Sequence, residues 1–62
     1  MKVGDKVKIT FIERAFWYVT RYGIINAIDV SDYGTKDYWV NGMIYWEANM
    51  NNITKEEEDL YF

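Results

Sequence analysis

The sequence contains no cysteine and no histidine. Without cysteine, neither a disulfide framework nor a thiolate metal site can form, and the redox compartment is left open. Without histidine, the commonest general base and metal ligand is missing, so Ser31, the only serine, has no partner for an ordinary Ser-His triad. Because the chain also lacks a glycine-rich phosphate loop and any metal-binding spacing, we expect a protein that is not an enzyme and has no cofactor.

Long apolar runs are missing too. None approaches the roughly 18 residues of a membrane span, and no signal-peptide pattern opens the chain. The sequence therefore predicts a soluble, cytoplasmic protein without membrane contact.

Apolar and aromatic residues are abundant instead. Half of the 62 residues are hydrophobic and 19% are aromatic, which is typical of a folding chain and not of a disordered one. A chain of this length can form one domain, near the lower limit for folding without a disulfide, metal or partner. We expect a single domain over residues 1–62.

The net charge of −3 is unevenly distributed along the chain. Residues 1–21 carry five basic and two acidic side chains, whereas residues 22–62 carry two basic and eight acidic ones. A solvated domain with an acidic end is the simplest explanation. The alternatives are a weak basic stripe for phosphates and an acidic surface for a basic partner.

The first predicted strand lies near the N-terminus. Val7, Ile9 and Phe11 alternate with polar side chains, which is the period-two pattern of a half-buried strand. Residues 13–22 follow without a clean period, and we expect them to form a long loop.

Residues 23–30 form the second predicted strand. Ile25 and Ile28 are three residues apart, which breaks the period of two and indicates a bulge near Asn26 and Ala27. Residues 31–37 are predicted to be a polar turn in which Gly34 favours positive φ.

Residues 38–46 form the densest apolar block, around an Asn-Gly pair. One interpretation is a hairpin with a type I′ turn, which pairs Val40 with Met43 and Trp39 with Ile44. The other is a single long strand kinked at Gly42. In both, Trp39 and Val40 point in opposite directions, because side chains alternate along a strand.

The C-terminal segment contains a helix start. Thr54 and Glu57 have the spacing of a capping box, and the run from Glu56 to Glu58 suits the positive end of a helix dipole. We expect one 3₁₀ or α turn here, followed by residues 60–62 as a last short strand.

Several segments resemble SH3-like small barrels in their residues. Residues 3–9 resemble the opening strand of such domains, where a Gly-Asp turn precedes the strand, and residues 23–29 are similar to the second strand of KOW-type barrels and of the small barrel protein of photosystem I. Tyr38-x-Val40 resembles their third strand, and residues 51–60 resemble the fourth strand, helical turn and closing strand. The resemblance implies an all-β, five-stranded SH3-like barrel with one short 3₁₀ or α turn before the last strand. It favours the long-strand interpretation of residues 38–46, against the Asn-Gly signal.

Such a barrel encloses roughly ten inward side chains, since each strand offers two or three. Seven apolar residues are predicted to fill most of these places: Val7, Ile9, Phe11, Ile25, Ile28, Val40 and Leu60. Several aromatic side chains are then left over, chiefly Phe16, Trp17, Tyr18 and Trp39. Tryptophan and tyrosine are enriched at protein interfaces. We therefore predict a protein–protein interaction module in which these four residues bind another chain, including a second copy of itself.

Three alternatives accompany this prediction. The first is that residues 13–22 fold over Trp39, so that the aromatic side chains cap the barrel of one monomer. The second is a weak nucleic-acid-binding barrel, in which phosphates contact four basic residues: Lys6, Lys8, Arg14 and Arg21. Net negative charge argues against strong binding of this kind. The third is a small phage or mobile-element protein that inhibits a host machine through its acidic face.

A cation site is a further option that the sequence does not favour. Asp29, Asp32 and Asp37 lie around the polar turn, where they could bracket a cation. Solvated turn carboxylates are far commoner, and we expect no metal.

Overall fold

Five strands make up most of the chain in the computed structural model, which describes residues 1–14 and 17–62. The elements in chain order are β1 (Lys6–Glu13), β2 (Trp17–Val30), β3 (Lys36–Val40), β4 (Met43–Trp46), a 3₁₀ turn (Glu47–Asn49), β5 (Met50–Asn52) and helix α1 (Lys55–Tyr61). The strands form one antiparallel sheet in the order β4-β3-β2-β1-β5. The predicted five-stranded, all-β fold is confirmed, but the 3₁₀ turn lies at Glu47–Asn49, before β5, and not in the segment after Thr54 where a turn was predicted. Within the described residues β4 and β5 remain edges, so the sheet is not closed into a barrel.

β1 and β2 form a long hairpin that extends from the pair Lys6–Ile24 to the pair Glu13–Trp17. The predicted long loop over residues 13–22 is therefore wrong for Glu13, which belongs to β1, and for residues 17–22, which belong to β2. Arg14 lies in the turn between the two strands. Aromatic and β-branched residues favour strands, and pairing with β1 satisfies the backbone of β2. The outer part of the hairpin is exposed on both faces, which explains why no period of two appeared there. Ala15 and Phe16 lie outside the described residues.

The predicted bulge in β2 is confirmed. The register against β3 shifts between Ile25 and Ala27. An extra residue in one strand changes which face the following side chains occupy. Ile25 is thus buried and Ile28 packs against the same core, although the two are three residues apart.

β3 and β4 form the Asn-Gly hairpin. Val40 pairs with Met43 and Trp39 with Ile44, and φ is positive at both turn residues, 52° at Asn41 and 79° at Gly42. These are the signs that a type I′ turn requires at its central positions. The local turn signal therefore predicted the right structure, and the single kinked strand is wrong.

The core lies on one face of the sheet. Its buried side chains are Val7, Ile9, Ile25, Tyr38, Val40, Tyr45 and Met50, and Phe11 and Ile28 pack against them partly buried. Tyr38 and Tyr45 were not predicted to be core residues. Their hydroxyl groups nevertheless have partners, because Tyr38 donates to Glu47 Oε1 at 3.3 Å and Tyr45 accepts from Arg21 Nη1 at 3.1 Å.

The prediction of Leu60 as a core residue, and of residues 60–62 as a closing strand, is wrong. Leu60 is 77% exposed, and α1 continues through it to Tyr61. The capping box at Thr54 and Glu57 is present as predicted, but it starts two helical turns and not one. Lysine, glutamate and leucine all favour helix over strand, so nothing in this segment ends the helix after its first turn.

Candidate functional site

Exposed apolar side chains gather at the outer end of the β1–β2 hairpin. Ile12 pairs with Tyr18, and Trp17 is the neighbouring residue on β2. The side chains are 57%, 77% and 69% exposed, respectively. We call Ile12, Trp17 and Tyr18 the tip patch. The predicted site residues Trp17 and Tyr18 thus lie in solvent, while Phe16 lies outside the described residues.

Trp39, the fourth predicted site residue, lies elsewhere on the sheet. It is half-buried, and its indole Nε1 donates a hydrogen bond to Asp29 Oδ2 at 2.8 Å. Its neighbour on β2 is Ala27, whereas Trp17 is ten residues earlier on that strand, about 30 Å of extended chain away. Trp39 and Trp17 are therefore not neighbours in the sheet, and the described part of residues 13–22 forms strands instead of covering Trp39.

A second apolar surface surrounds Trp39. The β3–β4 register places Ile44 opposite Trp39, and Trp46 follows Ile44 by two residues on the same face. Ile44 is half exposed and Trp46 is 72% exposed. We call Trp39, Ile44 and Trp46 the hairpin patch. Ile44 and Trp46 were missed as site residues, although the Asn-Gly turn, read with the alternation of side chains, would have placed all three on one face.

A groove lies between β1 and β4 and borders part of each patch. It is lined by Phe11 and Ile12 of β1, by the four residues of β4 and by Asn49. Within its walls the rings of Phe11 and Tyr45 lie 5.9 Å apart and tilted by 43°. Ile12 of the tip patch and Ile44 and Trp46 of the hairpin patch therefore border the same groove. Trp17 points to the opposite face of β2 from Tyr18 and Ile12, because side chains alternate along a strand. Exposed apolar residues such as those that border the groove are typical of interaction sites.

Three of the four basic residues considered for phosphate contacts are engaged within the chain. Lys6 Nζ lies 2.6 Å from Glu58 Oε1, and Lys8 Nζ lies 3.0 Å from Glu57 Oε2. The guanidinium of Arg21 turns to the core face, where it lies 5.3 Å from the centre of the Phe11 ring and bonds to Tyr45. Arg14 occupies the turn of the β1–β2 hairpin with a φ of 55°. The structure brings these four residues to no common surface.

Helix α1 packs on the face of β1 and β2 opposite the core. Tyr61 stacks on Tyr22, with ring centres 3.9 Å apart and planes inclined by 8°, and the Tyr22 hydroxyl donates to Glu57 Oε2 at 3.1 Å. No residue of α1 is buried. Exposed ion pairs are worth about 0–1 kcal/mol each, and an aromatic pair adds about 0.5–1.5 kcal/mol. The helix is therefore held by a few polar and stacking contacts and not by the core.

Glu57 is the centre of these contacts. Its side chain accepts from the Thr54 backbone amide at 3.1 Å, and this bond, followed by the Lys8 ammonium, lowers its pKa to about 2. Partial burial beneath α1, followed by the hydrogen bond to Glu57, raises the pKa of Tyr22 to about 12. One carboxylate thus caps the helix and ties it to both strands.

The attachment of α1 should depend on pH. A carboxyl whose pKa is lowered in the folded state stabilises it above its ordinary pKa of 4.5, and this contribution is lost as the pH falls towards 2. For Tyr22 the contribution is complete below pH 10 and is lost as the pH rises towards 12. We expect the NMR contacts between the Tyr22 and Tyr61 rings to weaken between pH 4.5 and 2. In Glu57→Gln the acid transition should disappear, and its persistence would assign the change to another carboxyl.

The acidic residues of the polar turn do not form a metal cluster. Asp29 and Asp37 are opposite one another on β2 and β3, and Asp29 already accepts the Trp39 bond. Across residues 1–14 and 17–62, no three acidic side chains are placed to hold a metal ion. The same residues contain no helix with the length and apolar character that crossing a membrane demands.

The chain matches no protein-family model, no curated protein and no solved structure. Its own surfaces are therefore the basis for assigning a function.

Proposed function

We propose that the chain is a non-enzymatic module of the SH3-like kind that binds another protein through its exposed aromatic side chains. The observation that carries this proposal is the groove between β1 and β4, which is bordered by Ile12 of the tip patch and by Ile44 and Trp46 of the hairpin patch. The proposed site comprises the predicted residues Trp17, Tyr18 and Trp39 together with Ile12, Ile44 and Trp46; the fourth predicted residue, Phe16, lies outside the described residues.

The topology supports the SH3-like assignment. Five strands in one antiparallel sheet agree with the predicted plan, whereas the β1–β2 hairpin replaces its long loop and the 3₁₀ turn lies between β4 and β5 instead of after Thr54. Helix α1 departs from it, because it stands where a closing strand was expected. A shared plan does not assign a partner, so binding is inferred from the exposed aromatic side chains and not from the topology.

Apolar area left in water supplies the energy for binding. Burying one large apolar side chain stabilises a complex by roughly 1.5–3 kcal/mol. Trp17, Tyr18 and Trp46 are each more than two-thirds exposed, so a partner that covered them would recover several times this amount before the cost of association. Tryptophan and tyrosine are also the side chains that most often dominate interfaces. A second copy of the chain is the first partner to test.

The double substitution Trp17→Ala and Trp39→Ala tests the proposal. We expect a folded monomer with unchanged far-UV circular dichroism whose association is at least about tenfold weaker, because hot-spot aromatics each contribute about 2 kcal/mol or more. Sedimentation equilibrium measures self-association, and a pull-down from host lysate compares the proteins retained by the wild type and the variant.

Tyr33→Ala is the matched control. Tyr33 is an aromatic residue with 95% exposure in the β2–β3 turn, outside both patches and the groove, and its removal should leave association unchanged. If the double variant unfolds, the two tryptophans support the fold and the interface proposal is wrong. If it stays folded with wild-type association, the proposal is equally wrong.

We also expect no tight binding of DNA or RNA at physiological salt. Phosphate neutralisation supplies most of the affinity of nonspecific binding, but Lys6 and Lys8 are paired with carboxylates and Arg21 faces the core. Fluorescence anisotropy with single- and double-stranded oligonucleotides measures this directly. Submicromolar binding that weakens steeply with added salt would contradict the prediction and make Lys6, Lys8, Arg14 and Arg21 site residues.

A further inference from the structure

The face of the sheet beneath α1 combines positive charge with an aromatic ring. Lys6 and Lys8 are two residues apart on β1, and Tyr22 is the cross-strand partner of Lys8. All three side chains point away from the core. Each contacts α1: the lysines bind the carboxylates of Glu58 and Glu57, and the Tyr22 ring stacks on Tyr61.

The charge of α1 is complementary to this face. Residues 55–61 contain one lysine and four acidic residues, which gives −3, the same as the net charge of the whole chain. The remaining residues therefore sum to zero. Two adjacent glutamates meet two lysines, and a tyrosine four residues after Glu57 reaches the ring of Tyr22. The helix thus behaves as an acidic ligand bound to the body of its own chain.

This ligand can leave without opening the core. None of the residues of α1 is buried, and only Ile53 and Thr54 stand between the end of β5 and the start of the helix. The contacts are ion pairs, one hydrogen bond, one ring stack and the Lys6 ammonium 5.7 Å from the centre of the Phe62 ring. Their loss would expose Lys6, Lys8 and Tyr22 together.

We propose that the face formed by Lys6, Lys8 and Tyr22 is a second binding surface, which takes an acidic helical segment of a partner protein, and that α1 occupies it as a built-in competitor. The segment carries two adjacent carboxylates and a tyrosine four residues after the first of them. This spacing places the carboxylate and the ring on one side of a helix, since residues four apart are neighbours on its surface.

A peptide suits this face better than a nucleic acid does. The ligand now bound there is a helical peptide, and its carboxylates match the two lysines one to one. A polyanion gains affinity from many phosphate contacts, whereas this face offers two ammonium groups on a body whose charges, these two included, sum to zero. The surface is distinct from the groove between β1 and β4, so this proposal and the proposed function can fail separately.

The experiment uses the full-length chain and a fluorescein-labelled synthetic peptide with the sequence of residues 54–62. The variant Glu57→Gln with Glu58→Gln should release α1, because it removes both carboxylates that meet the lysines, while glutamine keeps the capping box. The control Glu56→Gln with Asp59→Asn changes the net charge by the same amount at two positions outside both ion pairs. NMR contacts between the Tyr22 and Tyr61 rings report whether α1 is bound.

We expect the peptide to bind the released variant about tenfold more tightly than the wild type, which is the effect of a competitor bound roughly nine-tenths of the time. The control variant should behave as the wild type. Adding Lys8→Gln to the released variant, or Tyr61→Ala to the peptide, should abolish the gain.

Three results would overturn the proposal. The first is that the ring contacts of α1 persist in the released variant, since the ion pairs then do not hold the helix. The second is that the peptide binds no better to the released variant than to the control. The third is that a single-stranded RNA oligonucleotide binds the released variant while the peptide does not, which would assign the face to nucleic acid. The ring contacts, the peptide binding and the RNA binding do not involve Trp17 or Trp39. Failure of the association proposed for these tryptophans would therefore leave all three measurements unaffected.

Discussion

Replacing Ile25 by alanine should lower the free energy of unfolding by about 2–4 kcal/mol, through lost burial and the cavity that remains. Ile25 is 1% exposed and lies at the centre of the core, next to the β2 bulge. A domain of this size has only about 5 kcal/mol or less to lose. The variant should therefore be partly unfolded at room temperature or melt far below the wild type.

Ile24→Ala is the matched control. Ile24 is the neighbouring residue of the same type, but it is 42% exposed on the opposite face of β2. Ile24→Ala should lower the free energy of unfolding by less than half as much as Ile25→Ala does, as measured by urea denaturation followed by circular dichroism. Equal losses at the two positions would show that the face assigned to the core, and with it the register of β2, is wrong.

The second large effect is expected at Gly23, where β2 passes directly beneath Val40. A Cβ atom added at Gly23 would collide with Val40 Cγ1, and both residues are buried. Overpacking in a well-packed core costs about 1–3 kcal/mol. Gly23→Ala should be destabilising by this amount, although alanine is otherwise better than glycine in a strand.

A double-mutant cycle identifies the collision as the cause. Val40→Ala alone should cost about 1–4 kcal/mol because it leaves a cavity. When Gly23→Ala is combined with it, the added methyl group occupies part of that cavity, so the loss should be smaller than the sum of the single losses by about 0.5–3 kcal/mol. Additive losses, measured by urea denaturation, would mean that Gly23 is required for a reason other than space for Val40.

Local signals in the sequence predicted local structure well. The Asn-Gly pair predicted the β3–β4 hairpin because positive φ at two consecutive residues is nearly a property of the residue types alone. Thr54 and Glu57 predicted the helix start for a similar reason, since a capping box is made within four residues. The resemblance to small barrels favoured an unbroken strand over residues 38–46, and at that point the local signal was the better guide.

The site was predicted only in part. Trp17 and Tyr18 are exposed, as the surplus of aromatic residues indicated. The count of inward places, however, did not identify which aromatics would be surplus: Tyr38 and Tyr45 are buried, whereas Trp46 is not. Tyrosine is buried when its hydroxyl finds a partner, and those partners, Glu47 and Arg21, are visible only after folding.

The sequence by itself determined the elements whose cause is local: the alternating strand β1, the bulge in β2, the Asn-Gly turn and the capped start of α1. Tertiary structure decided what depends on contacts between distant residues. Residues 17–22 became strand because β1 offered them a partner, and Leu60 stayed in solvent because Tyr61, Glu57 and Glu58 reached Tyr22 and the two lysines. Such contacts join residues 35 to 52 positions apart. Local propensities carry no information about those contacts, which is why the position of α1, and the surface that it covers, became visible only in the folded chain.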